Sequence, residues 1–293
     1  MRTSGLWILA ILITLASAVY QRKTGPTYPV KGSNEITGSK ITYKLLRSHG
    51  GKGDQPVVIT VPDTSISGFL IFKRYKAKEK WSRIKLVRNG KQLKAALPHQ
   101  PPAGKLEYYI ELAKGASILT LPGNKTIVTR FKGAVPLAVL ISHIFFMFFA
   151  MLLSTRTGIE SLRTSPNLKS YALWTIGLLF IGGLIFGPIV QKYAFGAFWT
   201  GIPYGTDLTD NKTLIAFVVW LIALIAIIKN KKARLWTLFA ALVTLAIFMI
   251  PHSMHGSELD YSKLETHAAS LSAIITCSIW TIPVGEGVFR TKK

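Results

Sequence analysis

Six apolar segments, interrupted once by a long stretch of opposite character, constrain this chain more than any other feature. A helix crosses the hydrocarbon core of a bilayer with about 17–25 mainly apolar residues. Windows of roughly that kind lie at residues 5–20, 135–153, 171–190, 213–228, 235–250 and 268–284. The last is diluted by Ser270, Ser272, Thr276, Ser278 and Thr281, hydroxyls that suit a span facing other helices rather than lipid. The expected architecture is a membrane α-helical bundle of about five spans plus an N-terminal segment, residues 1–20. Arg2, the short apolar run and Ala16-Ser17-Ala18 fit either a cleavable secretory signal or an uncleaved anchor.

Between the first and second windows the pattern changes to short alternating runs: Ile41/Tyr43/Leu45, then residues 56–61, 67–75, 81–87, 91–97, 106–112, 117–121 and 127–131. Asn89-Gly90 supplies the positive φ angles of a type I′ hairpin turn. Gly and Pro clusters separate the other runs. Seven or eight short strands at this spacing predict an inserted all-β domain over residues 21–133, an immunoglobulin- or fibronectin-III-like sandwich, followed by a helical membrane domain over 134–293. No Cys…Trp…Cys pattern accompanies it, and the lone Cys277 excludes an intrachain disulfide framework.

Charge sets the expected orientation. With the β-domain outside, the inner ends carry eleven Lys and Arg and the short outer loops only Lys192, Lys212 and Lys263. Short basic loops stay on the cytoplasmic side, whereas long domains translocate largely regardless of charge. The chain is therefore expected in the inner membrane if the cell is bacterial, with residues 21–133 and the His-rich loop near residue 255 outside and the C-terminus inside. Only 17% of residues are charged, yet 36 Lys+Arg stand against 13 Asp+Glu, a net charge of +23. Of that, +16 lies between Gln21 and Gly133.

The densest basic stretch offers Lys73, Arg74, Lys76, Lys78, Lys80, Arg83, Lys85 and Arg88. One reading is a surface for an acidic protein or for anionic headgroups and glycans. The other is a sheet edge that lysines keep from aggregating. Nucleic acid is a poor partner for a domain facing away from the cytoplasm.

Two outer loops are too rich for simple linkers. Residues 191–212 hold Trp199, Tyr204, Asp207 and Asp210 among aromatics and glycines, and residues 251–267 hold His252, His255, Glu258, Asp260 and His267. The histidines and carboxylates suit a zinc or copper site. The alternative is structural: Asp210 or Thr209 caps a helix, the aromatics form an interfacial belt, and the histidines end a helix. His143 lies about 12 Å below the outer surface at ~1.5 Å per residue. It could ligate a haem iron, but no other span has a central His for a bis-His site. A neutral His bonded to a carbonyl or hydroxyl of another span is the expected arrangement. Gly183-x-x-x-Gly187 predicts a close helix-packing seam.

The chain has no Walker A or GxSxG motif and no acidic pair within a span. The sequence thus points to a non-enzymatic envelope subunit that contacts membrane lipids and docks a protein partner or anionic surface through its basic β-domain. The rival is a redox or metal-dependent membrane subunit with zinc, copper or haem at the outer face of the bundle.

Overall fold

The computed structural model describes residues 3–163, 167–252, 258, 259 and 261. The window at 268–284, together with His255, Asp260 and His267, lies outside the described residues. Four helices are long and apolar enough to span a membrane: α1 (Thr3–Thr24), α2 (Leu137–Ser161), α3 (Leu168–Phe195) and α4 (Leu208–Ile228). A shorter apolar helix, α5 (Ala233–Met249), follows.

Each helix is longer than its apolar window at one end or both, except α5, which is shifted by one or two residues. By sequence the second window ends at Leu153, and Arg156 is one of the eleven basic residues of the inner ends. In the structure α2 continues two turns further, with Arg156 only 1% exposed and Glu160 5% exposed. The two form an i,i+4 ion pair. The Arg156 guanidinium also lies 5.3 Å from the Trp7 ring of α1 and 5.2 Å from the Tyr171 ring of α3. A buried charge persists when its partners replace water, and here those partners tie three helices together.

Helix α3 changes to π-helical geometry over Phe180–Phe186, just before Pro188. Proline has no N–H and its ring crowds the carbonyl four residues back, so a local widening relieves a regular helix at this point. Of the seam expected at Gly183 and Gly187, the close contacts fall at Gly182 and Gly183. A Cβ on Gly182 would fall 2.8 Å from Phe146 Cβ of α2, and one on Gly183 would fall 2.6 Å from Thr213 Cγ2 of α4. On the buried side of α4, Trp220 is fully enclosed and its indole N–H donates to Thr244 Oγ1 of α5 at 2.9 Å.

The domain between α1 and α2 has eleven strands in two sheets, rather than seven or eight. One sheet has the order β1 (Val30–Ile36), β2 (Ser39–Leu45), β4 (Gln55–Thr60), β8 (Gln92–Leu97), β7 (Val87–Asn89). The other runs β3 (Ser48–Gly50), β11 (Ile127–Lys132), β9 (Lys105–Lys114), β5 (Ser67–Arg74), β6 (Ser82–Lys85), with β10 (Ser117–Leu121) paired to β9. Neighbours are antiparallel except β3 and β11, which are parallel. A two-residue hairpin turn does join β7 to β8, but it is made by Gly90 and Lys91 after the paired Asn89. Gly90 alone takes positive φ, 55°, so it is not the type I′ turn expected of Asn89-Gly90.

Alternation explains the layers. In β9, Leu106, Tyr108, Ile110 and Leu112 are all buried and their neighbours are not. Together with Ile41, Ile59, Leu70, Leu93 and Phe131 they form one core fed by both sheets. Its polar members are satisfied: Tyr108 Oη donates to Leu46 O at 2.8 Å, and Thr129 Oγ1 donates to Gln55 Oε1 at 2.7 Å.

The β-domain rests on one end of the bundle. Gly133 N donates to Ala194 O at the end of α3 at 3.0 Å, and the Arg130 guanidinium lies 5.3 Å from the Phe195 ring. At that same end Gln21 of α1 donates to Phe248 O and Ile250 O, joining α1 to the end of α5.

Candidate functional site

Where α1, α2, α3 and α5 meet beneath the β-domain, they leave a cavity of about 480 Å³. Its walls are mostly apolar, with Leu140, Ile144, Phe148, Met151 and Phe248 among them. Its polar lining comes from Gln21 and Arg22 of α1, His143 of α2 and His252 beyond α5. His143 and His252 belong to different elements in the sequence reading, one intramembrane and one in a loop. The structure brings them to the same cavity.

His143 is held in one orientation. Its Nδ1 lies 2.8 Å from Gly182 O in the π-helical stretch of α3, the carbonyl of another span, as expected. That carbonyl also accepts from Gly187 N–H in π register, using both lone pairs. Because a carbonyl only accepts, Nδ1 of the neutral ring carries the proton and Nε2 keeps its lone pair. Nε2 has no hydrogen-bond partner among the described residues. Gly187 packs beside the ring, where a Cβ would make an ordinary contact of 3.8 Å with His143 Cε1.

A smaller void adjoins the cavity and shares Gln21, Met147, Phe248 and His252 with it. Lys212 of α4 lines this void. Sequence reading counted Lys212 as an outer-loop charge; the structure buries it to 5% exposure. Its ammonium donates to Ile250 O at 2.8 Å. An ammonium has three donors, and no second hydrogen bond from Nζ occurs among the described residues. The misassignment came from beginning the fourth span at Thr213, whereas α4 begins at Leu208.

The carboxylates of the loop between α3 and α4 serve as scaffold. Asp207, rather than Asp210 or Thr209, caps α4, its Oδ1 accepting from Thr209 N at 2.8 Å. Asp210 is 6% exposed, and Oδ2 accepts from Thr200 N, Gly201 N and Gln191 Nε2 at 2.6, 3.0 and 3.1 Å. These bonds hold the loop between α3 and α4 against both helix ends. Trp199 donates to Ile202 O at 3.0 Å, and Tyr204 is 83% exposed. No group of three or more His, Cys, Asp or Glu that could hold a metal ion occurs among the described residues.

Glu258 lies apart from Asp207 and Asp210, on the β-domain. It bridges Lys76 at 2.8 Å and Lys105 at 2.5 Å beside a surface pocket of about 600 Å³ lined also by Arg74, Tyr75 and Tyr261. Burial works against the Glu258 carboxylate, but the two ammonium groups hold it below the usual range. Burial pulls Lys105 down, whereas Glu258 raises the exposed Lys76. Tyr261 Oη accepts from Lys105 N at 3.0 Å and donates to Gln100 Oε1 at 3.0 Å.

The basic stretch divides into engaged and free residues. Lys73 faces Glu107 across β5 and β9 at 3.8 Å, Arg74 binds Glu79 at 2.7 Å, and Arg83 reaches Glu111 at 3.9 Å while lying over the Phe69 ring. Arg88 donates to the carbonyls of Val61, Asp63 and Ile66 at 2.9, 2.9 and 2.6 Å and so clips a loop. Lys78, Lys80 and Lys85 are exposed, with no acidic partner among the described residues.

No protein family matches this chain, and no curated protein does. Among solved structures the chain is similar to a Br derivative of BhCBM56, at 10% identity and a TM-score of 0.22, over 36% of this chain and 92% of that one.

Proposed function

We propose that this protein is a multi-pass envelope subunit, without enzymatic chemistry of its own, that holds one bulky and largely apolar ligand in the outer end of its helical bundle. The observation that carries this reading is the meeting of His143 and His252, more than a hundred residues apart, on one cavity of about 480 Å³. Ligand sites are typically concave, mostly apolar and ~300–1,000 Å³, with a few convergent polar groups. Basic residues at the far ends of the helices support placing the β-domain, which we read as an immunoglobulin- or fibronectin-III-like sandwich, on the outer side of the membrane.

Native mass spectrometry of the detergent-purified full chain tests this. A small molecule should co-purify with the wild type and be lost from Ala18→Trp, which fills the cavity from α1. A wild type and variant that are equally ligand-free sink the reading.

A second reading concerns the β-domain, and Lys78, Lys80 and Lys85 favour it. These unengaged ammonium groups support docking of an acidic protein partner. Reversing all three to Glu should abolish crosslinking to that partner in membranes. Unchanged crosslinking would refute it.

A further inference from the structure

We propose that the cavity seats an iron tetrapyrrole, a b-type haem, with His143 Nε2 as one axial ligand and His252 as the other. The proposal rests on the reading of this cavity as a ligand site and specifies its occupant.

Three observations narrow the chemistry. The first is the state of His143. Its Nδ1 proton is committed to Gly182 O at 2.8 Å, so the neutral ring offers the cavity a lone pair rather than a donor. That arrangement suits a metal, whose imidazole ligands characteristically give their other N–H to a carbonyl or carboxylate. A quinone or ester carbonyl would find no hydrogen at Nε2.

Size is the second. Two imidazoles at bonds of roughly 2.0–2.1 Å would close around a bare ion and leave most of about 480 Å³ empty. No further His, Cys, Asp or Glu completes a metal cluster among the described residues. A metal here must bring its own equatorial ligands on a flat apolar frame. Leu140, Ile144, Phe148 and Phe248 are the walls such a frame requires. The Met147 sulfur packs against the bare backbone of Gly182 and Gly183, 3.0 and 3.6 Å from where a Cβ would stand on each.

The third is charge. Arg22 stands at the rim of the cavity, and Lys212 lines the adjoining void, 5% exposed and bonded to Ile250 O. A buried ammonium with unused donors is costly unless an anion meets it. A haem carries its carboxylates on an otherwise apolar body, and of these two cations Arg22, which lines the cavity itself, is the one placed to meet them.

The experiment uses the full-length protein, purified in detergent from a haem-replete host and then titrated with ferric protoporphyrin IX. The expected wild-type result is saturable binding of about one haem per chain with a six-coordinate, low-spin spectrum. His143→Gln retains an amide donor for Gly182 O and so preserves the helix contact. It should elute as a single monodisperse species and lose the low-spin spectrum. His252→Ala should keep the haem as a five-coordinate, high-spin species with at least ~10-fold weaker affinity.

Absence of a low-spin spectrum in the wild type, or identical binding in both variants, overturns the haem assignment. Native mass spectrometry separates the two levels of the argument. A colourless wild type carrying another ligand that Ala18→Trp expels overturns the haem and upholds the ligand site. A colourless wild type with no ligand overturns both.

Discussion

Substituting Gly133 by alanine should loosen the β-domain from the bundle while leaving each part folded. An added Cβ would lie 2.1 Å from Tyr193 O, a backbone atom that cannot rotate away. Overpacking of this kind costs about 1–3 kcal/mol. The bond from Gly133 N to Ala194 O, 3.0 Å long, is worth a further ~0.5–1.5 kcal/mol if it breaks. Alanine recovers ~0.4–1 kcal/mol by restricting the segment once it is released, since Gly133 is not at positive φ. The net is about 2 kcal/mol, or roughly 30-fold in the docking equilibrium. Hydrogen exchange of the detergent-solubilised protein reads this directly. Amides around 131–136 should exchange about 30-fold faster in the variant, with those of β9 unchanged. Wild-type exchange in that segment would refute the claim that this contact fixes the domain.

Tyr108→Phe removes a fully buried hydroxyl from Leu46 O and should lower domain stability by about 1 kcal/mol in thermal unfolding; an unchanged midpoint would show the bond to be dispensable. Asp63 is held well below the usual carboxylate range by Lys114, Ser39 and Ser65. A depressed folded pKa contributes stability above the unfolded value near ~3.9 and loses it as pH falls further. The midpoint of the wild type should therefore drop below about pH 4, and Asp63→Asn should flatten that dependence. Thr244→Val leaves the buried Trp220 N–H without an acceptor and should destabilise the bundle by ~0.6–2 kcal/mol, measured by unfolding in mixed micelles. Glu258→Gln should weaken the link to Lys76 and Lys105, so proteolysis near residue 258 should accelerate and β-domain cleavage should not.

Much of the fold was legible because period and apolarity are local properties. The runs at 56–61, 67–75 and 117–121 became β4, β5 and β10, and the hairpin after Asn89 formed, though one residue later than read, on Gly90 and Lys91. Strand β1, Val-Lys-Gly-Ser-Asn-Glu-Ile, carries too little apolar alternation to read, since its burial comes mainly from pairing with β2. The extension of α2 to Ser161 was hidden because Arg156 and Glu160 look like loop residues until each supplies the other's partner. The π-helical stretch has a signal, glycines before Pro188, but periodicity alone cannot distinguish it from regular helix. For the site, His143 and its carbonyl partner were anticipated. Its convergence with His252 was not, because His252 follows Pro251 just past an apolar window and so reads as a residue of the wet boundary layer. Lys212 was misjudged for the same reason: a charge beside an apolar run reads as solvated until the helix is seen to begin earlier.

The β-domain is an insertion, entered from α1 and left through α2, and those two helices form facing walls of the cavity at Ala18, Gln21 and Arg22 on one side and Leu140, His143 and Ile144 on the other. A domain hung from one helix would act as a lever on that helix alone. This one is suspended between two and braced on the end of α3 through Gly133 and Arg130, so a lateral load on it is divided among the three and arrives as shear across the gap they enclose. Tension applied by a partner at the sheets would thus be felt first at the mouth of the cavity.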